Sequence, residues 1–178
     1  HLTPPEFNLD EDYLELLDLA RTVLAEHEPV AEEFTNPERM RETFFNIGRD
    51  LIGELAQRKG IDLDYSIVEK LAKILVRYTV GFGLLEIILA DEKIQDVVVN
   101  GPIGENPIYI VHQDYGECST NIIPSKGDGD GWATKFRLIS GRPLDEANPV
   151  LDTELIIPGA RARVAIITAP LNPVGLGY

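Results

Sequence analysis

The stretch YTVGFGLLEIILADEKIQDVVVNGP, residues 78–102, decides the fold, because the apolar period changes inside it. Upstream, apolar residues recur every three to four positions. Downstream they form short Val/Ile-rich runs between Gly and Pro, the mark of strands. Gly81 and Gly83 break the incoming helix, LLEIILAD forms a short apolar turn, and QDVVVN after Asp91 reads as a strand.

Three amphipathic helices are expected before this point. In DEDYLELLDLARTVLAEHEP, Leu14, Leu17, Val23 and Leu24 are placed on one side and Pro29 ends the helix. TNPERMRETFFNIGRDLIGELAQRKG starts with Asn36 as cap and Pro37 at the first helical position. Met40, Phe44, Ile47, Leu51 and Leu55 then make the apolar stripe, and Gly60 the stop. DYSIVEKLAKILVRYTVG repeats the pattern with Ile67, Leu71, Ile74, Leu75 and Tyr78. Residues 1–90 are therefore expected to form a helical subdomain.

Beyond it, IYIVH and ECSTNIIP read as further strands and SKGDGDG as a flexible turn. WATKFRLIS returns to helix with Trp132, Phe136 and Ile139 on one face. LDTELII, the turn PGA and RARVAIITA make a terminal hairpin. The fold class expected is α+β: a helical layer, then a small mixed or antiparallel sheet with one packed helix over 91–170. Pro170, Pro173, Gly175 and Gly177 give 171–178 the composition of a linker or hinge.

Composition limits the chemistry. Apolar residues make up 44% of the 178 residues, enough for a core. The net charge of −14 argues against nucleic acid and against a generally anionic membrane. That charge is uneven: residues 1–33 carry ten acids and one base, whereas 137–178 carry four acids and four arginines. Cys118 is the sole cysteine, so no internal disulfide forms and a reducing compartment fits. No apolar run approaches the ~18 residues of a membrane span, and HLTPPEFNLD lacks the features of a signal peptide. The termini at His1 and NPVGLGY give the expectation of a piece from a longer chain.

His1, His27 and His112 lack metal-ligand spacing, and DGDG at 128–131 lacks the closing glutamate of a calcium loop. No G-x-x-x-x-G-K-[ST] phosphate cradle occurs. The informative residues are arginines. Arg161 and Arg163, two apart on a strand, share a face, while Arg137 lies on the preceding helix and Arg142 just past its end. A guanidinium fork matches phosphate oxygens in pairs. The competing reading is a surface ion pair, with Glu154 opposite Arg163 across the hairpin.

Residues 78–102, together with SGRPLDEANPVLDTEL, ARVAI and APLNP between 140 and 173, resemble the N-terminal half of the ATPases that drive type II and type IV secretion and pilus assembly. PPEF at 4–7 is similar to their archaeal branch. The resemblance implies a PAS-like domain, followed by a P-loop domain, in a homohexamer at the cytoplasmic face of the membrane. It implies ATP and magnesium held mainly by the P-loop domain, with N-terminal arginines reaching the terminal phosphate. Arg142 and Arg163 fall on family positions. Arg137 is a third contact one helical turn earlier, and Arg161 is additional to the pattern. Partners implied are the chain's own P-loop domain, neighbouring subunits and the cytoplasmic part of a membrane platform. By itself the chain is expected to be inactive. The rival expectation is a stand-alone acidic protein-interaction module, its docking face on the N-terminal helix.

Overall fold

The computed structural model describes residues 1–26 and 36–178. His27, Pro29 and the acids at 28, 32 and 33 lie outside the described residues. The chain divides into two compact units, Thr3–Gly83 and Leu84–Tyr178, the latter also holding His1–Leu2. The division lies at Gly83–Leu84 rather than at residue 90, because helix α4 (Leu84–Leu89) packs on strands of the second unit.

The first unit is helical. A 3-10 turn at Pro5–Asn8 precedes α1 (Glu11–Ala25), α2 (Pro37–Lys59) and α3 (Tyr65–Thr79). Asn36 caps α2 by accepting the Arg39 N–H at 3.0 Å, and Gly60 ends it at φ 71°, where a side chain would be strained. The buried stripes differ from those read in the sequence. In α1, Leu16, Leu17, Ala20 and Leu24 face inward, while Leu14 and Val23 are exposed. In α2, Gly48, Ile52 and Ala56 replace Ile47, Leu51 and Leu55 as the buried line, and Ile47 is exposed. The reason is close approach: a Cβ on Gly48 would lie 3.1 Å from Leu75 Cδ2, so small residues mark the contact that a hydrophobicity count passes over. In α3, Leu71, Ile74 and Leu75 are buried as expected, and Ile67 and Tyr78 only in part. Glu6, within PPEF, is buried and accepts hydrogen bonds from the Tyr78 hydroxyl and from Arg77 Nη1, the latter at 3.3 Å. A buried carboxylate needs such donors.

The second unit is α+β, so the fold class is as read. Its strands, however, form two antiparallel sheets and no parallel pair. β1 (Ile94–Val99), β2 (Ile108–His112) and β3 (Gly116–Ser119) make one sheet in that order. β4 (Val150–Ile157) and β5 (Ala160–Ile167) make the other, a hairpin closed by Pro158 and Gly159. Phe136 of α5 (Lys126–Ser140) is fully buried, as are Val99, Ile108, Leu151, Leu155 and Ile166.

SKGDGDG is not a flexible turn but the start of α5. The Ser125 hydroxyl accepts the Asp128 N–H at 3.1 Å, and the Asp128 carboxylate accepts the Ser125 N–H at 2.8 Å, a reciprocal capping box. Gly129 then lets the helix press on Ile103, whose Cδ1 would lie 2.5 Å from a Cβ there. Ile139, read as inward, is partly exposed, and Ala133 takes its place beside Trp132 and Phe136. Ser125→Ala is expected to destabilise the unit by about 1 kcal/mol, measured as a lower urea midpoint at unchanged m. An unchanged midpoint would show that the cap carries no net weight.

Residues 171–178, read as a linker, pack into this unit. Tyr178 donates its hydroxyl to the Gly129 carbonyl and sets its ring against Trp132 and Phe136. Burial pushes its phenol well above the usual value.

Candidate functional site

The hairpin places the arginines. Strand alternation puts Arg161, Arg163 and Ala165 of β5 on the same face as Asp152, Glu154 and Ile156 of β4. Glu154 is directly opposite Arg163, as the sequence predicts. The ion pairs nevertheless run diagonally. Arg161 grips Glu154 with both Nε and Nη2, the latter at 2.8 Å, and Arg163 grips Asp152 with both, its Nε at 3.1 Å. Right-handed strand twist shortens one diagonal of an antiparallel pair, which gives each fork the carboxylate one step along. Both arginines remain largely in solvent, with side chains 69% and 82% exposed.

Arg142 joins them from the end of α5. Its backbone N–H bonds the Ser140 hydroxyl at 3.2 Å, and its Nη1 donates to the Asp152 carbonyl oxygen at 3.2 Å. Gly141, at φ 65°, supplies the left-handed turn that directs the chain there. Asp152 is thus the common anchor of Arg142 and Arg163. Arg137 stands apart from these contacts: it donates to Thr134 Oγ1 at 3.1 Å, and its charge acts on Asp145. Asp145 itself accepts from the Asn148 amide and from the Ala147 and Asn148 N–H groups, closing the loop between Arg142 and β4. Three of the four arginines therefore share one strand as their support.

The Arg163 fork holds the Asp152 carboxyl below the usual carboxylate range, and the Arg161 fork does the same for Glu154. Both guanidinium pKa values rise in return. A depressed folded pKa gives stabilisation that is present above the unfolded pKa and lost as pH falls through the folded one. The forks should therefore hold at neutral pH and open in acid below the ordinary carboxylate range. Carboxyl carbon shifts followed by NMR check this: Arg163→Ala should move Asp152 back towards ordinary titration, Arg142 still acting on it, and leave Glu154 depressed. Ordinary titration of Asp152 in the wild type would mean that the fork is not formed in solution.

Chemically, the face offers two exposed guanidinium forks, each occupied by a carboxylate that an incoming anion could replace. Solvent-exposed pairs of this kind hold by only about 0.2–1 kcal/mol, so exchange for a multiply charged oxyanion is cheap. Asp152 as the partner of Arg163 is not apparent from direct register alone. Its signal was the matched spacing of acids at 152 and 154 with arginines at 161 and 163. Among the described residues no His, Cys, Asp and Glu cluster has a metal-binding arrangement. His112 stacks on Tyr115 and lies 3.7 Å from Asp91.

No family model matches the chain. It is similar to three uncharacterized proteins of Methanocaldococcus jannaschii. MJ0781 is 28% identical over 107 residues, 60% of this chain and 14% of that protein. MJ1288 is 28% identical over 108 residues, 60% of this chain and 42% of that protein. MJ0900 is 29% identical over 119 residues, 62% of this chain and 19% of that protein. The chain thus spans less than half the length of each relative it matches.

Proposed function

We propose that the β4–β5 arginine face is a phosphate-sensing surface in the N-terminal domain of a secretion or pilus-assembly ATPase. The observation that carries it is that Arg142 and Arg163 both engage Asp152, Arg142 through its backbone carbonyl and Arg163 through its carboxylate, with Arg161 beside Arg163 on the exposed face of β5. The motif order from SGRPLDEANPVLDTEL to ARVAI supports the same reading. ATP and magnesium, held mainly by a P-loop domain, would supply the triphosphate chemistry. The arginines act by charge: Arg161 and Arg163 release their carboxylates, Arg142 its carbonyl, and they take up the terminal phosphate, as an arginine finger does. Arg137, held on α5, is an outer contact. Closure of this domain over nucleotide in a homohexamer would be the step that moves the transport machinery.

The location proposed is peripheral, at the cytoplasmic face of a membrane. Among the described residues no helix is long and apolar enough to cross one. The acids of α1 are proposed to meet the basic cytoplasmic part of a platform protein. The test of the whole reading is steady-state ATP turnover by the protein carrying its P-loop, wild type beside Arg142→Ala and Arg163→Ala, with a thermal melt of each.

A further inference from the structure

Two strand edges in the second unit face each other across a gap. β1 pairs with β2 on one side only, and β5 pairs with β4 on one side only. Between them lies a cleft of about 590 Å³, walled by β1 from Ile94 to Val99 and by β5 from Ala160 to Ala165. At one end the gap is already filled. Ile167 and Gly177 exchange two backbone hydrogen bonds of 3.0 and 2.9 Å, and Val99 and Tyr178 exchange two of 2.9 Å each. Two residues thus pair with β5 on one side and β1 on the other. This sets the edges there two strand spacings apart, about 9.6 Å, the width of a single missing strand.

We infer that the cleft is the seat of one further β-strand, joined to Tyr178 and running antiparallel to both β1 and β5. The direction comes from the bonds already made. Gly177 pairs antiparallel with Ile167, so the residues that follow travel back along β5 towards Ala160. Tyr178 pairs with Val99 by mutual bonds, so the same residues travel back along β1 towards Ile94. The two walls agree on a single path.

The backbone groups on that path follow from alternation. Ile167 faces the gap, so Ala165, Arg163 and Arg161 turn their N–H and C=O groups into it. Val99 faces the gap, so Val97 does too. Side chains follow the same rule. Tyr178 points inward, onto Phe136 and Trp132, and Val99 beside it is buried. The second residue after Tyr178 would lie between Val97 and Val164, both half-buried, over the floor made by Leu85 and Phe136. The odd positions would stand outward, the third beside Arg163 and Asp96. The strand that fits is therefore apolar at every second residue and polar between, and seating it would join the two sheets into one. This inference does not depend on the arginines binding phosphate.

The test extends the chain at Tyr178 by Ser-Val-Thr-Val-Lys, with Ser-Pro-Thr-Pro-Lys as the control that removes the donors needed by β1. Backbone amide exchange is read at Ala165, Arg163 and Arg161 on β5 and at Val97 on β1. In the 178-residue chain these four amides should exchange quickly. The valine extension should slow exchange at Val97, Ala165 and Arg163 by on the order of tenfold, the worth of one net hydrogen bond, and the proline extension should not. Equal exchange in all three chains would overturn the inference, as would amides already protected without any extension. Equal protection by the free valine pentapeptide would also overturn it, by showing that the cleft takes its strand from another molecule.

Discussion

Replacing Phe136 with alanine is expected to cost the second unit about 3–5 kcal/mol, the usual range for a buried phenylalanine. The ring is fully buried, and it is the largest of the fully buried side chains. It stands where α5, β4 and the Tyr178 ring meet, so its loss leaves a void that three separate elements would have to close together. None can move far: α5 is fixed at its start by the Ser125–Asp128 box and pressed on Ile103 at Gly129, while Tyr178 is tied to Val99 and Gly129. Incomplete collapse puts the cost toward the upper part of the range. A urea melt of the variant beside Phe136→Leu checks it. The leucine variant should recover a large part of the loss, and a cost below 1 kcal/mol for alanine would show that the site is loosely packed.

On the proposed reading, Arg142→Ala and Arg163→Ala should each lower ATP turnover of the P-loop-bearing protein by on the order of 10³-fold while leaving its melting temperature nearly unchanged. The two readouts separate the competing roles of these residues. An exposed ion pair contributes at most about 1 kcal/mol to stability and nothing to catalysis. A guanidinium at the terminal phosphate contributes little to stability and much to the transition state. Arg163→Lys should restore little, since an ammonium cannot supply the two parallel donors of the fork. Arg161→Ala should be milder, because Arg161 is additional to the pattern carried by ARVAI. Normal turnover in the Arg142→Ala, Arg163→Ala double variant would return both residues to a structural role at Asp152, Arg163 as an ion pair with its carboxylate and Arg142 as a hydrogen bond to its carbonyl. A defect confined to Arg161→Ala would shift the role to the other member of the pair.

Legibility in the sequence varied with the range of the interaction. The caps of α2 were readable because Asn36, Pro37 and Gly60 act on backbone groups within four residues of themselves. The hairpin was readable for a like reason, since Pro158–Gly159 fixes the register of β4 and β5. The start of α5 was misread because three glycines in SKGDGDG outweighed a cap that depends on two side chains. The inward line of α2 was misplaced because Gly48 carries no hydrophobic signal, although its smallness is what lets Leu75 of α3 approach.

By itself, the sequence determined the change from helix to strand after Asp91, the α+β class, and the common face of Arg161 and Arg163. All three follow from periods of 3.6 and 2 that the backbone imposes on any chain. Tertiary structure alone decided which carboxylate each arginine holds, because strand twist, not register, selects the diagonal. It also decided that Gly177 and Tyr178 stand between β1 and β5, two edges some sixty residues apart in the chain. No local pattern encodes that pairing; it exists because the core around Phe136 draws both edges to the same floor.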